Sequence, residues 1–167
     1  YFRSIFTAKT TGQFLANYIN KVFNQNNVTI IRETAAYGSY LAQIFEETAH
    51  KLEMTVKNNW TYDPKDKNLE DTFKSYVAQL KQQSKEESGT LFLAMQATEA
   101  AKLVRLIKDA NLPNLIIGET SFSEQTFLHG FKDLPREKAT PGFYTNDIYV
   151  ATPLLFDTAN EFAQKFK

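Results

Sequence analysis

The chain alternates short runs rich in apolar and β-branched residues with longer amphipathic stretches, and this alternation constrains its fold more than any other feature. The clearest runs, 28–31, 90–95 and 115–117, have the length and composition of buried strands. The stretches between them repeat apolar residues at helical spacing. Parallel strands need crossover connections of about this length, so the order predicts an α/β fold, a three-layer αβα sandwich with a mainly parallel sheet.

The pattern also predicts the individual elements. A short apolar entry segment is expected at 2–6. Strands are expected at 28–31, 54–60, 90–95, 115–117 and 143–150, and the helices lie before, between and after these strands. The first helix carries an apolar stripe from Phe14 to Val22, with Thr10 or Thr11 as its cap. A short helix at 123–129 is expected to be capped by Ser123, and a closing helix to span 157–167.

Composition excludes several classes of function. Lys and Arg number 19 and Asp and Glu number 19, so the net charge is zero and a dominant basic field for nucleic acid is absent. Without cysteine there is no disulfide, thiolate nucleophile or Cys-ligated zinc. The two histidines, His50 and His129, lie far apart in sequence and offer little for a metal site. Neither a metal nor a cofactor is therefore expected.

The sequence also lacks the common catalytic motifs. It contains neither of the glycine-rich phosphate-binding patterns, GxGxxG and GxxxxGK[ST], and neither GxSxG nor HExxH. Its paired carboxylates at 46–47, 70–71 and 86–87 fall on predicted helices or helix ends, where a solvated surface is the usual setting. These absences favour a non-enzyme. An enzyme on a flavodoxin-like sheet and the effector domain of a transcription regulator are the alternatives that the same periodicity allows.

Ligands of open α/β sheets bind beyond the carboxyl ends of the strands. That rule selects the windows 32–39, 95–99, 118–123 and 151–156. Tyr37 stands out in the first window, because it lies among small residues at a strand-to-helix turn, where an aromatic ring would face the cleft. Core packing is the usual role of the other aromatic residues.

The order of several segments resembles the type 1 periplasmic binding proteins, and in particular the branched-chain amino-acid receptors. The segments are VTIIRE, AAYGSYLAQIFEETAHKLEM, GTLFLAMQATEAAKLVRLIKDANL and LIIGETSFSEQTFL. The resemblance implies that residues 1–167 form a single lobe, the second of two lobes that close on a ligand. It also implies that this lobe is excised from a longer protein whose first lobe is missing here.

The resemblance further implies a set of ligand-binding residues. Tyr37 falls on the cleft-lining aromatic of the family, and Gln96, with Met95 before it, falls where some members place a second aromatic. Thr120, flanked by Glu119 and Ser121, falls where amino-acid binders place an acid for the ligand's ammonium group. The offset of Glu119 leaves open an amino acid or a different small molecule as the ligand.

The implied function is capture of a small molecule by closure of the two lobes, without catalysis, for import by an ABC transporter with a membrane permease. The alternative within the same fold is the sensory input domain of a histidine kinase or cyclase, joined to a transmembrane segment. Either role places the lobe in the periplasm or on the extracellular face of a bacterial membrane, with no nucleic-acid partner.

Overall fold

A computed structural model describes residues 8–150, which form one parallel sheet between two layers of helices. The strands are β1 (Asn27–Glu33), β2 (Thr55–Tyr62), β3 (Thr90–Ala94), β4 (Ile116–Gly118) and β5 (Ile148–Val150). The helices are α1 (Ala8–Lys21), α2 (Ala36–Lys51), α3 (Leu69–Gln82), α4 (Lys85–Ser88), α5 (Ala97–Asp109), α6 (Gln125–His129) and α7 (Pro135–Ala139), with a 3₁₀ turn at Thr120–Ser123. The five strands lie in the order β2-β1-β3-β4-β5, and every pairing is parallel.

Both faces of the central strands are buried, which explains their continuous apolar sequences. One face packs against α1 and α2, where the rings of Phe45 and Phe92 stack with centroids 4.2 Å apart. The opposite face of the sheet packs against α3 and α5 through Leu91, Leu93 and other side chains. The predicted α/β sandwich with a parallel sheet is therefore confirmed.

The amino edge of the sheet is held by buried polar contacts around Gly89. The amide of Asn114 donates to Oγ of Ser88 at 2.7 Å and to the carbonyl of Gly89 at 2.8 Å. Thr29 of β1 donates its hydroxyl proton to the carbonyl of Ser88 at 2.8 Å. These bonds fix the entry of β3 beside β1. The carboxylate pair at 86–87, expected on a helix or a helix end, lies in the separate short helix α4, which is capped by Ser84.

Several local predictions are wrong. Thr10 and Thr11 lie inside α1, which begins at Ala8, so neither caps it. Ser123 does not cap α6, because the chain first makes the 3₁₀ turn and Glu124 takes the N-cap position. On the stripe of α1, Phe14 and Val22 are 48% and 59% exposed, whereas neighbouring Leu15 and Ile19 enter the core.

The last predicted strand is shorter than expected. Only Ile148–Val150 pairs with β4, because the preceding residues turn around the carboxylate of Glu137. That carboxylate accepts the backbone N–H groups of Gly142 at 2.6 Å and Tyr144 at 3.1 Å. The predicted segments 2–6 and 157–167 lie outside the described residues. Within residues 8–150, no helix has the length and apolarity to cross a membrane.

Candidate ligand-binding site

Three of the four predicted windows meet at the carboxyl edge of the sheet. They follow β1, β3 and β4, which are neighbours, with Arg32 paired to Ala94 and Leu93 paired to Gly118. The fourth window, 151–156, lies outside the described residues. The parallel order of the strands thus brings together loops that are far apart in sequence.

A buried carboxylate packs against the first of these loops. Glu33, at the end of β1, is 3% exposed, and its carboxylate lies against the backbone of Gly38. Ala35, the N-cap residue of α2, makes no capping bond with its own side chain. Glu33 thus lies beside the first turn of α2, where a helix has free backbone N–H groups.

The loop also requires glycine at position 38 because the backbone approaches so closely. A methyl group added there would lie 2.8 Å from the carbonyl oxygen of Ala94 and 2.8 Å from Oε1 of Glu33. Both distances are shorter than real side chains tolerate. The glycine thus allows the turn that carries Tyr37 to pack directly on the end of β3.

The third loop is tied to the second by one buried side chain. Ser121, in the 3₁₀ turn, donates its hydroxyl proton to the carbonyl oxygen of Met95 at 2.9 Å. The side chain of Met95 lies in the core against α3 and α5, so its backbone is the part that faces this loop. Glu119 precedes the turn and is 5% exposed.

The predicted ligand-binding residues therefore all lie on these three loops, in different settings. Gln96 is exposed at the N-cap of α5, whereas Met95, Glu119 and Ser121 are buried. Tyr37 is the second residue of α2, and Thr120 opens the 3₁₀ turn. The side chains of Tyr37 and Thr120 lie outside the described part of the structure.

Three acidic side chains, those of Glu33, Glu99 and Glu119, interact at the carboxyl edge of the sheet, and the sequence pattern did not predict this group. Burial raises the pKa of Glu33. Gln96 and the backbone of Gly38 lower this pKa, whereas the charges of Glu99 and Glu119 raise it further. Tyr62, at the end of β2, is 3% exposed and its hydroxyl has no hydrogen-bond partner in the described part of the chain. Burial raises the pKa of Tyr62 as well, helped by the charges of Glu33 and Glu99.

Sequence reasoning missed Glu33, Glu99 and Tyr62 as members of this site. A usable signal existed for Glu33, since a carboxylate that ends a fully apolar strand lies at the carboxyl edge by position alone. No sequence signal pointed to Tyr62, because an aromatic residue in a strand usually belongs to the core. Within residues 8–150, no group of three or more His, Asp or Glu side chains is arranged to hold a metal ion.

Glu33→Gln is expected to remove a pH-dependent part of the stability. Because the folded-state pKa of Glu33 is raised above 4.5, folding retains a proton that the unfolded chain has already lost. This contribution is present below pH 4.5 and is lost as the pH rises through the raised pKa. The free energy of unfolding should fall across that window by about 1.4 kcal/mol for each unit of the shift, and the variant should lack this fall.

Urea unfolding between pH 4 and pH 8 measures this difference. Glu124→Gln, an exposed carboxylate at the same edge, is the matched control and should leave the wild-type profile unchanged. Parallel profiles for Glu33→Gln and the wild type would contradict the prediction.

The sequence matches no protein-family model and no curated protein. The fold, by contrast, is similar to solved structures of solute-binding proteins. The leucine-binding protein LivK from Thermotoga maritima superposes with a TM-score of 0.72 at 14% identity, over 96% of this chain and 41% of that one. The branched-chain amino acid binding protein LivJ from Streptococcus pneumoniae, in complex with isoleucine, gives 0.71 at 18% identity, over 89% and 39%.

A third similar structure is an ABC transporter solute-binding protein from R. palustris in complex with benzoate. It gives a TM-score of 0.64 at 17% identity, over 99% of this chain and 41% of that one. The chain thus spans about two fifths of the length of each of these proteins. It has the fold of a single lobe of the type 1 periplasmic binding proteins.

Proposed function

We propose that the chain is one lobe of a two-lobe receptor that captures a small molecule bearing a cationic group, such as an amino acid or a related amine. The observation that carries the proposal is the group of carboxylates at the carboxyl edge of the sheet. Glu33 and Glu119 are buried there, and both Glu99 and Glu119 act electrostatically on Glu33. The receptor binds and releases its ligand without chemical change.

A cationic ligand is expected because opposite charges attract each other more strongly in a partly buried site than in water. Two opposite charges 4 Å apart interact by about 4 kcal/mol near a protein surface, against about 1 kcal/mol in water. An ammonium group at this edge gains that attraction from several carboxylates. A ligand whose only charge is a carboxylate would be repelled by the same groups, unless the other lobe compensated for them.

The residues proposed to contact the ligand are Tyr37, Glu119 and Thr120, on the first and third loops. Glu119 supplies the charge, and Tyr37 supplies an aromatic surface. Ser121 and Met95 support these contacts through the hydrogen bond that joins their loops. The assignment of Tyr37 and Thr120 rests on their sequence positions and on the placement of their backbones at the carboxyl edge.

The proposed receptor needs a second lobe, because a pocket usually buries most of its ligand and one open edge cannot do so. In the proposed receptor the two lobes close about a hinge, as in periplasmic binding proteins. The closed form would deliver the ligand to the membrane permease of an ABC importer. This role places the receptor in the periplasm or outside the membrane.

A thermal-shift panel on the product of the complete gene tests the proposal, since a ligand of the folded state stabilises it by mass action. The panel contains two pairs of compounds. Leucine is paired with 4-methylpentanoate, which lacks its ammonium group, and benzylamine is paired with benzoate, which carries a carboxylate in place of the amine. Stabilisation by leucine or benzylamine alone is the expected result. Stabilisation by the carboxylates alone would overturn the ligand class, and a gene product without a second lobe would overturn the two-lobe receptor.

Glu119→Gln should weaken binding of the cationic ligand found in that panel by at least about tenfold, because a hydrogen bond to a charged group is worth roughly 1.5–3 kcal/mol. Titration calorimetry on the complete gene product measures the loss. Glu124→Gln removes an exposed carboxylate five residues away and should leave the affinity within about threefold. Equal affinities for Glu119→Gln and the wild type would remove Glu119 from the site.

A further inference from the structure

One cationic side chain at the carboxyl edge is left unpaired. Arg32, the last residue but one of β1, is half-buried, and its Nε atom is buried without a hydrogen-bond partner. Within residues 8–150, the guanidinium group forms no hydrogen bond and no ion pair. Desolvation of an unpaired charge costs free energy. A charged group in this setting is therefore expected to gain its partner from outside the lobe.

The neighbouring carboxylate does not neutralise Arg32, because the two side chains lie on opposite faces of the sheet. Val28 and Ile30 enter the core beneath α1 and α2, whereas Ile31 enters the core beneath α3 and α5. Side chains alternate along a strand, so Arg32 lies on the same face as Ile30, and Glu33 lies on the other.

The register of the sheet places Arg32 level with the proposed ammonium-binding residue. Arg32 pairs with Ala94 of β3, and Leu93 pairs with Gly118 of β4. Glu119 continues β4 with an extended backbone, so it lies at the level of Ala94. Neighbouring strands are about 4.8 Å apart, so the backbones of Arg32 and Glu119, with β3 between them, lie about 10 Å apart. A small zwitterion can bridge the two side chains across this gap.

We propose that Arg32 is a specificity-determining residue that binds the carboxylate of the ligand, so that this lobe by itself holds both charges of a zwitterion. The inference rests on the proposed function, in which Glu119 binds the ammonium group of the same molecule. A guanidinium group suits this role because its planar fork donates two parallel hydrogen bonds to a carboxylate. Partial burial strengthens the attraction relative to water.

The variant Arg32→Met isolates the charge. Methionine keeps an unbranched, flexible apolar stem, so packing of the side chain beside α2 is largely retained while every donor is removed. Arg105→Met is the matched control, because Arg105 is an arginine of α5 whose side chain is 56% exposed and whose Nε atom lies 3.8 Å from Oδ2 of Asp109.

Thermal unfolding of the 167-residue chain without ligand tests whether Arg32 is unpaired in the lobe. Arg32→Met should unfold at the temperature of the wild type or above it, because no hydrogen bond or ion pair is lost and the desolvation of a charge is relieved. A lower midpoint would show that the guanidinium group already has a structural partner, and would overturn the proposal.

Titration calorimetry of the complete gene product tests the contact itself. Leucine is compared with 3-methylbutylamine, which is leucine without its carboxylate, and phenylalanine is compared with 2-phenylethylamine in the same way. In the pair that binds more tightly, the wild type should prefer the amino acid by at least about tenfold. Arg32→Met should reduce this preference to less than about threefold by weakening the amino acid alone, whereas Arg105→Met should keep it.

The outcomes separate this inference from the proposed function. A wild type that binds the amino acid and the amine equally, or an Arg32→Met variant that loses affinity for both equally or for neither, would overturn the role of Arg32 and leave the cationic-ligand receptor standing. A wild type that binds neither amino acids nor amines would refute the proposed function, and the inference with it.

Discussion

Gly89→Ala is expected to lower the free energy of unfolding by about 4 kcal/mol, through backbone strain and overpacking together. Gly89 has φ 69° and ψ −151°, a conformation that is essentially restricted to glycine. A methyl group there would overlap the carbonyl group of Asn27, which belongs to the backbone of β1. A backbone atom in a central strand cannot move aside as a flexible side chain can, so the entry of β3 would have to shift.

Urea unfolding of the purified chain measures this loss. Gly142→Ala is the matched control, because Gly142 also has a positive φ of 85°, but the atoms nearest to an added methyl group belong to the side chain of Asn146, the closest at 3.0 Å. Gly142→Ala should lower the free energy of unfolding by about 1 kcal/mol. Similar losses in the two variants would show that conformation, and not contact with β1, sets the requirement at Gly89.

Phe122→Ala should destabilise the chain by about 3–5 kcal/mol, the usual cost of deleting a fully buried ring. Phe122 lies in the 3₁₀ turn and stacks on Phe127 with ring centroids 4.8 Å apart. Its ring also covers Gly118, where an added methyl group would lie 2.5 Å away. The substitution therefore removes the anchor of the loop that carries Glu119 and Thr120.

Calorimetric unfolding measures the stability change, and hydrogen exchange of the amides in residues 119–124 measures the order of the loop. Leu128→Ala, in the adjacent α6, removes a large side chain that is 49% exposed and should cost less than about 1 kcal/mol. Exchange in the loop should speed up for Phe122→Ala alone. A destabilised chain with unchanged loop exchange would contradict the anchoring role of this ring.

Much of the fold was predictable because its main signal is local. The runs in β1 and β3 are apolar on both faces, which requires a sheet covered on both sides, and the helical stretches between them require parallel pairing. The errors lie where tertiary contacts decide. No sequence pattern near Tyr144 predicts that the carboxylate of Glu137 accepts the backbone N–H groups of Gly142 and Tyr144. These two hydrogen bonds keep the residues before Ile148 out of β5.

The candidate site was predictable in position and less so in composition. The structure brings the three selected loops to one edge of the sheet, because their position depends only on strand direction. That a ligand binds there stays a prediction. The roles of Glu33 and Tyr62 depend on side chains from different strands meeting in space, which the sequence does not reveal. The ligand contacts of Tyr37, Thr120 and Glu119 remain predictions.

The hydrogen bond between Ser121 and Met95 limits how the ligand preference of this edge can be redesigned. Because Ser121 of the third loop donates to the carbonyl of Met95 in the second, either loop grafted alone from another receptor would lack its hydrogen-bond partner. New specificity is therefore best sought either by transferring all three loops as one block or by changing Tyr37, Glu119 and Thr120 while the connecting residues stay fixed. Evolutionary change at this edge would face the same constraint, because a substitution of Ser121 by an apolar residue leaves the carbonyl of Met95 without this buried hydrogen bond.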